Sequence, residues 1–422
     1  MSCAPEALHA QRSPSDQFNG GSAMTEAVVA EVSTAERPDI VIIGGGVIGS
    51  AAAYFLTKDG RAGRVMVLEP DPLYIRAATP RASGGARRLF SRPENILMSN
   101  FSISFYQRFA EHCSVDGEAP EIGFRCDGYL FIVPPEGVTT LESNYALQTS
   151  LGVEVHLLDR DALRRRLPSM HVEDVGAAAY APKDGCLEPN GALQGFRRKA
   201  RAQGAEYLAE RVVDLAVHGT AVREVHLASG RVLRPRTVIC AAGTWSAQVA
   251  AMAGMHLPVE PMQRHDHFWM CRAEIEQLPF VKDLNGLGFH PWDRGYTGSV
   301  VDFAIPGGHN WDVDHGYFER VVWPAIAHRV PAMEELRLCD SWVGHYDRNT
   351  LDGNMILGNW PGRLDNFYVA CGFTGHGLMH APAVGRALGE LILDGGFQTI
   401  DLTRMGYQRV LDNEPYAEAG IR

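Results

Sequence analysis

The sequence predicts an α/β nucleotide-binding domain assembled from separated pieces of chain, joined to a second, α+β domain built on an antiparallel sheet. Three observations carry that expectation. A β-branched run, Asp39-Ile40-Val41-Ile42-Ile43, leads through Gly44-Gly45-Gly46-Val47-Ile48-Gly49 into a helical segment over residues 50–56. Two further apolar runs enter glycine loops far downstream, over residues 237–246 and 366–377. Between these pieces lie aromatic and β-branched runs such as Gly128-Tyr129-Leu130-Phe131-Ile132-Val133, the pattern of strands in an antiparallel sheet.

Residues 1–37 are rich in Ala, Ser, Glu and Pro without a sustained period and read as a disordered leader, with Met24 an alternative start. The first ordered unit follows. The run at 40–43 suits a strand buried on both faces. Gly44 permits the tight turn, Gly46 lets the backbone N–H groups of the turn and of Val47 and Ile48 reach a pyrophosphate, and Gly49 lets the helix pack on the strand. A second strand, Val65-Met66-Val67-Leu68, ends at Glu69, which is placed to accept hydrogen bonds from a ribose diol. An acid there disfavours a 2′-phosphate, so FAD or NAD is expected rather than NADP.

The second piece ends in Cys240-Ala241-Ala242-Gly243-Thr244-Trp245-Ser246, where small residues let the chain pass close to a nucleotide. The third, Gly372-Phe373-Thr374-Gly375-His376-Gly377-Leu378, opens another helix. The nucleotide domain is therefore expected over residues 38–124, 181–254 and 346–422, and the second domain over 125–180 and 255–345. With 422 residues the chain has ample length for both. A net charge of −11 gives no source for phosphate attraction, which excludes nucleic acid as the main partner. Eight scattered cysteines without a CxxC pair read as reduced thiols in a cytoplasmic compartment. No apolar run approaches the ~18 residues of a membrane span.

These motifs, together with Ala82-Ser83-Gly84-Gly85-Ala86-Arg87 and Asp127-Gly128-Tyr129-Leu130, resemble the D-amino-acid oxidase and sarcosine oxidase superfamily of FAD-dependent amine oxidoreductases. Within it, Phe90-Ser91-Arg92-Pro93-Glu94-Asn95 and Phe397-Gln398-Thr399-Ile400-Asp401-Leu402 resemble the branch of mitochondrial FAD-dependent oxidoreductase-domain proteins. The resemblance implies FAD extended through a Rossmann-like domain, with substrate on one face of the flavin under an antiparallel sheet. It implies oxidation of a C–N bond, hydride passing to the flavin and the imine hydrolysing in water. Along the cofactor it places Gly44, Gly46, Val47, Ile48, Gly49, Glu69, Ser83, Gly84, Val213, Ala242, Gly243, Trp245, Gly375, His376, Gly377 and Leu378. At the reacting side it places Arg87, as a cation near the flavin, and Tyr346, with His345 its neighbour on the chain.

The departures from the family pattern sharpen the expectation. Where relatives attach FAD through a cysteine or a histidine, this chain has Gly344 and Arg81, so the flavin is expected to be non-covalent. Where sarcosine oxidases hold the substrate carboxylate, it has Phe90 and Met379, neither of which can pair with an acid. Another arginine (Arg88, Arg264, Arg294 or Arg348) then makes the clamp, or apolar and aromatic contacts from residues such as Tyr296 hold a larger amine. No lysine follows Lys282, so either O2 or another electron acceptor is open. His265 and His267 share one strand face without a third ligand, so no metal is expected. His290 and His380 are weaker candidates for a base. The expected substrate is a small secondary or N-substituted amine or amino acid. A 2-hydroxy acid, or a flavoprotein with mainly an assembly role, is the alternative; oligomeric state is left open.

Overall fold

The computed structural model describes residues 36–420. Ile40–Ile43, all four residues buried, lies centrally in a six-stranded sheet. Its neighbours are Val65–Leu68 on one side and Thr237–Cys240 on the other, both parallel to it. Glu206–Leu208 extends one edge in parallel and Leu364–Cys371 the other. Ile356–Trp360 closes that second edge as the single antiparallel strand. A strand flanked on both sides and covered on both faces must be apolar throughout, which is why the run carries no alternation. Ile40 and Ile42 point into a core shared with the helices Val47–Thr57 and Gly377–Leu393. Val41 and Ile43 point the other way, into a core closed by a three-stranded antiparallel sheet carrying Leu215, Val222 and Leu233.

The larger sheet has eight strands, in the order Arg337–Asn349, Val259–Met270, Gly295–Val300, Leu287–Trp292, Phe280–Lys282, Tyr129–Val133, Ala177–Ala181, His156–Leu158. It is mixed and not purely antiparallel, because Phe280–Lys282 runs parallel to Tyr129–Val133. Its outer face packs against helices through Leu163, Phe318, Val322 and Ile326, around the buried Trp269 and Phe289. A buried Arg329 ties this layer together, donating Nε to Asp283 Oδ2 at 2.7 Å and Nη2 to Asp174 Oδ2 at 2.9 Å. The inner face carries Tyr129, Phe131 and Phe280, which join the core of the nucleotide side.

Both sheets belong to one compact unit. Arg337–Asn349 runs through the boundary expected at residue 345, so Tyr346 stands on the larger sheet and not on a piece of the nucleotide domain. The expected leader lies outside the described residues except for its last two. Of these, Glu36 bridges to Leu233 and its carboxylate pairs with Arg64 and Arg231, which makes it part of the folded unit. The seven described cysteines are all free, and no helix among the described residues is long and apolar enough to cross a membrane.

Candidate active site

A cavity of about 590 Å³ runs from the C-terminal ends of the parallel strands to the inner face of the larger sheet. One end is the glycine turn. Gly44 has φ +102°, and a β-carbon there would stand 2.8 Å from the Ala241 carbonyl carbon and 2.9 Å from Ala242 Cα. Gly46 has φ −61° and caps the Val47–Thr57 helix with no side chain of its own; a β-carbon there would meet no protein atom within 4 Å. The space is left open toward the cavity, where Gly46, Val47 and Ile48 present the first turn of a helix whose amide dipoles favour an anion. Gly49 does not line the cavity: it sits beneath the turn, where a β-carbon would strike the Gly44 carbonyl oxygen. Glu69 Oε2 accepts the Gly45 N–H at 2.9 Å, which holds the turn to the end of the second strand, and burial raises its pKa. Val213, 49% exposed, and Met252 close this end.

The middle is walled by Thr79, Arg81 and Ala82 on one side and by Ala242, Gly243, Thr244 and Trp245 on the other. The expectation that Ser83 and Gly84 line the cofactor path is corrected. The 3₁₀ turn Thr79–Arg81 brings the preceding residues to the cavity instead, while Gly84 packs on the Leu187 carbonyl and Ser83 offers its carbonyl to His290 Nε2 at 2.8 Å. Arg81 donates Nε to the Ile75 carbonyl and Nη1 to the Val343 carbonyl, which fixes its guanidinium at the cavity wall.

The far end lies where the Gly372–His376 loop crosses the larger sheet. Asp347 Oδ2 accepts the Gly372 N–H at 2.8 Å, and burial lifts this carboxyl to about 6. Gly375, with φ +96°, lies flat on the Tyr346 ring, a β-carbon there falling 2.7 Å from Cζ. Tyr346, Arg264 and Asp266 line the cavity with Gly375, Gly377 and Leu378. Arg264 pairs with Asp266 through two contacts, Nη1–Oδ2 at 2.9 Å and Nη2–Oδ1 at 3.0 Å, and its ring-facing side lies 5.3 Å from the Tyr346 centroid. Burial raises Asp266 to about 6 despite that partner.

Other expectations for this end need correction. Arg87 and His376 meet behind the wall, Nη2 to Nε2 at 3.1 Å, with Arg87 3.9 Å over the buried Phe90 ring. Burial lowers the pKa of both groups. Phe90 and Met379 are core residues of the same cluster and not substrate contacts. Tyr296 faces the outer side of the larger sheet, directly opposite Trp269 in its pairing, so it cannot reach the cavity. His345 borders the cavity, but alternation turns its ring to the face opposite Tyr346. There Nε2 accepts the Asn310 N–H at 3.1 Å, Trp311 packs 4.3 Å from its centroid, and burial lowers its pKa to about 4. His290 lies between the Ser83 and Pro291 carbonyls, its single N–H donating to one of them, His380 meets Ser99 Oγ at 3.1 Å, and neither histidine lines the cavity. Of the four candidate arginines only Arg264 lines the cavity; Arg88 pairs with Asp184 and Arg348 with Glu260. His265 accepts the Asp314 N–H and His267 meets Ser341 Oγ, each a structural contact. One His-Asp-His group, His171, Asp174 and His328, lies on the outer side, where Arg329 already occupies the carboxylate.

Sequence reading missed Tyr74, Asp266 and Asp347, all of which line the cavity. Tyr74 lines the nucleotide end, and its buried hydroxyl has no partner among the described residues; Arg264 Nε, buried at the other end, also has none. Unpaired buried polar atoms at both ends of one long cavity mark places where a bound group completes the hydrogen bonding.

The profile of the FAD dependent oxidoreductase family matches residues 39–391. The chain belongs to this family. It is 38% identical over 430 residues to FAD-dependent oxidoreductase domain-containing protein 1 of Xenopus laevis, covering 92% of this chain and 85% of that one. It is 27% identical to mitochondrial sarcosine dehydrogenase of Mus musculus over 85% of this chain but only 40% of the relative. L-proline dehydrogenase from P. horikoshii superposes with a TM-score of 0.81 at 25% identity, covering 90% of this chain and all of that one. The cofactor of this FAD-dependent oxidoreductase is FAD. The cavity fits it: a bare helix N-terminus for the pyrophosphate, an acid beyond the second strand for the ribose, and a glycine loop laid on Tyr346 for the flavin end.

Proposed function

We infer that this oxidoreductase oxidises the C–N bond of a secondary or N-substituted amine or amino acid. The observation that carries the reading is the composition of the far end of the cavity. The Arg264–Asp266 pair and Tyr346 face one another there beneath a glycine loop, with no nucleophile and no metal-ligand set required. FAD, when bound, accepts a hydride from the carbon next to nitrogen. The chain's residues do the rest. Val47 and Ile48 at the helix start, with Glu69, hold the nucleotide half, and Ala242, Gly243 and Trp245 flank its path. Gly375, Gly377 and Leu378 border the flavin end, and Arg264 and Asp266 orient the polar groups of the substrate. Arg87 and His376 act from behind, as a buried cation and a neutral ring that support the loop.

The flavin is proposed to be non-covalent, since no cysteine among the described residues lines the cavity and Arg81 stands where relatives carry an attaching histidine. The reading extends to a reducing, cytosol-like compartment, which the free cysteines support. It is tested by incubating the FAD-loaded protein with N-methyl and cyclic amino acids and an artificial electron acceptor. Release of an oxo product together with a shortened or ring-opened amine is expected. Turnover of 2-hydroxy acids to keto acids with no amine released would overturn it.

A further inference from the structure

Lys282 ends the short strand Phe280–Lys282 in the middle of the larger sheet. Pairing sets Trp342 opposite Asp266, and His267 opposite Gly298, which brings Asp266 beside Ser299. Ser299 pairs with Gly288, Gly288 with Lys282, and Lys282 with Phe131. Neighbours in a row share a face, and this row lies on the inner one with Arg264 and Tyr346. Two small residues, Gly288 and Ser299, separate Lys282 from Asp266, and the lysine side chain fills the gap they leave. A β-carbon at Gly288 would lie 3.1 Å from both Cδ and Nζ of Lys282. The amine thus lies over Gly288, on the row that leads through Ser299 to Asp266; Asp266 lines the cavity, Lys282 stands just behind that lining, and Nζ makes no ion pair or hydrogen bond among the described residues.

The charged surroundings explain what such an amine does. Burial and the nearby cations Arg264 and Arg87 oppose its protonation, while Asp266 alone favours it, leaving Lys282 at about 7. Tyr129, Tyr346 and His290 stand on the same face, and the pKa of His376 beyond Arg87 is also pushed down. Asp283, the adjacent carboxylate, points outward to Arg329 and does not offset the inner cations.

We propose that Lys282 is the proton acceptor of this site: the Asp266 carboxylate draws in the substrate's ammonium group, and the Lys282 amine takes its proton. This rests on the amine-oxidising reading above. An N–H bond of the substrate breaks, an Nζ–H bond forms, and the electron pair stays on the substrate nitrogen. No redox change occurs in that step. The free amine so made is the form from which hydride can leave the neighbouring carbon, and the lysine returns its proton to solvent before the next turnover.

The test joins an equilibrium measurement to a kinetic one. Protein carrying ¹³C-lysine has only four signals (Lys58, Lys183, Lys199 and Lys282), and comparison with Lys282→Met assigns the one of interest. It should titrate near 7, where an ordinary lysine titrates at about 10.4. Lys282→Met should keep bound FAD and slow flavin reduction by an amine roughly 100- to 10,000-fold, with loss of the acidic limb of the pH profile. Lys282→Arg, which keeps the charge but cannot release its proton, should not restore the rate. An ordinary titration, or full activity in Lys282→Arg, overturns the proposal. The two readings fail separately: a wild type that no amine reduces defeats the functional reading, whereas a wild type that is reduced beside an unimpaired Lys282→Met defeats this one alone.

Discussion

Gly44 and Gly46 stand two residues apart in the same turn, and alanine at each should fail for a different reason. At Gly44 a β-carbon would be forced against the Ala241 carbonyl in a backbone conformation of φ +102°. Left-handed strain of about 1–2 kcal/mol and overpacking of about 1–3 kcal/mol add to roughly 2–5 kcal/mol, lost from the protein with or without cofactor. At Gly46, φ is −61° and no protein atom lies within 4 Å of the added carbon, so Gly46→Ala should cost the apoprotein only a helix-cap preference of about 1 kcal/mol or less. Its penalty should fall on FAD. The methyl group would enter the open space beside the helix-start amides that would hold the pyrophosphate, and losing one charge-assisted hydrogen bond of about 1.5–3 kcal/mol would weaken binding roughly 10- to 150-fold. Denaturant unfolding of the apoproteins, paired with calorimetric FAD titration, separates the two effects. Equal apoprotein destabilisation by both variants, or unchanged FAD affinity in Gly46→Ala, would refute the assignment of this turn as the pyrophosphate site.

Further outcomes follow from the same geometry. Acid precipitation should release all the FAD into the supernatant, and colour retained on the washed pellet would contradict a non-covalent flavin. Tyr346→Phe should keep FAD, because the Gly375 contact is with the ring, and slow flavin reduction by about tenfold, the worth of one hydrogen bond. Arg329→Met should cost about 3–5 kcal/mol in denaturant unfolding by stranding Asp283, which is fully buried, and a loss below 1 kcal/mol would show the clamp to be dispensable. His345 titrates at about 4 in the fold against 6.5 ordinarily, so on acidification the unfolded chain takes up the proton first. Wild type should therefore lose more stability than His345→Gln between pH 6.5 and 4, and parallel pH curves for the two proteins would contradict the burial of that ring.

The nucleotide half could be read from sequence because its information is local. Strand, glycine turn, helix and Glu69 follow one another within some thirty residues, and each glycine answers a constraint set by its near neighbours. The substrate half was opaque for two physical reasons. A strand reveals its face only through parity: alternation alone sets His345 and Tyr346 on opposite faces of one strand, as found, but without a known edge the parity of Tyr296 is unset, and it faces away from Tyr346. Asp266 and Lys282, by contrast, meet only because several strand pairings bring distant segments into one row, where Gly288 and Ser299 leave room for a long side chain. Nothing near Lys282 in the sequence signals that row. Ser83 and Gly84 were displaced by only a few residues, the length of the 3₁₀ turn that presents Thr79 to Ala82 instead.

The most direct test of the central claim is an anaerobic titration of the FAD-loaded protein with a panel of N-methyl, cyclic and dicarboxylic amines, following the visible absorbance of the flavin. Full bleaching by one class of amine, with one equivalent of oxo product formed per flavin, is the predicted result. A fully loaded flavin that no amine bleaches, but that a 2-hydroxy acid does, would contradict it.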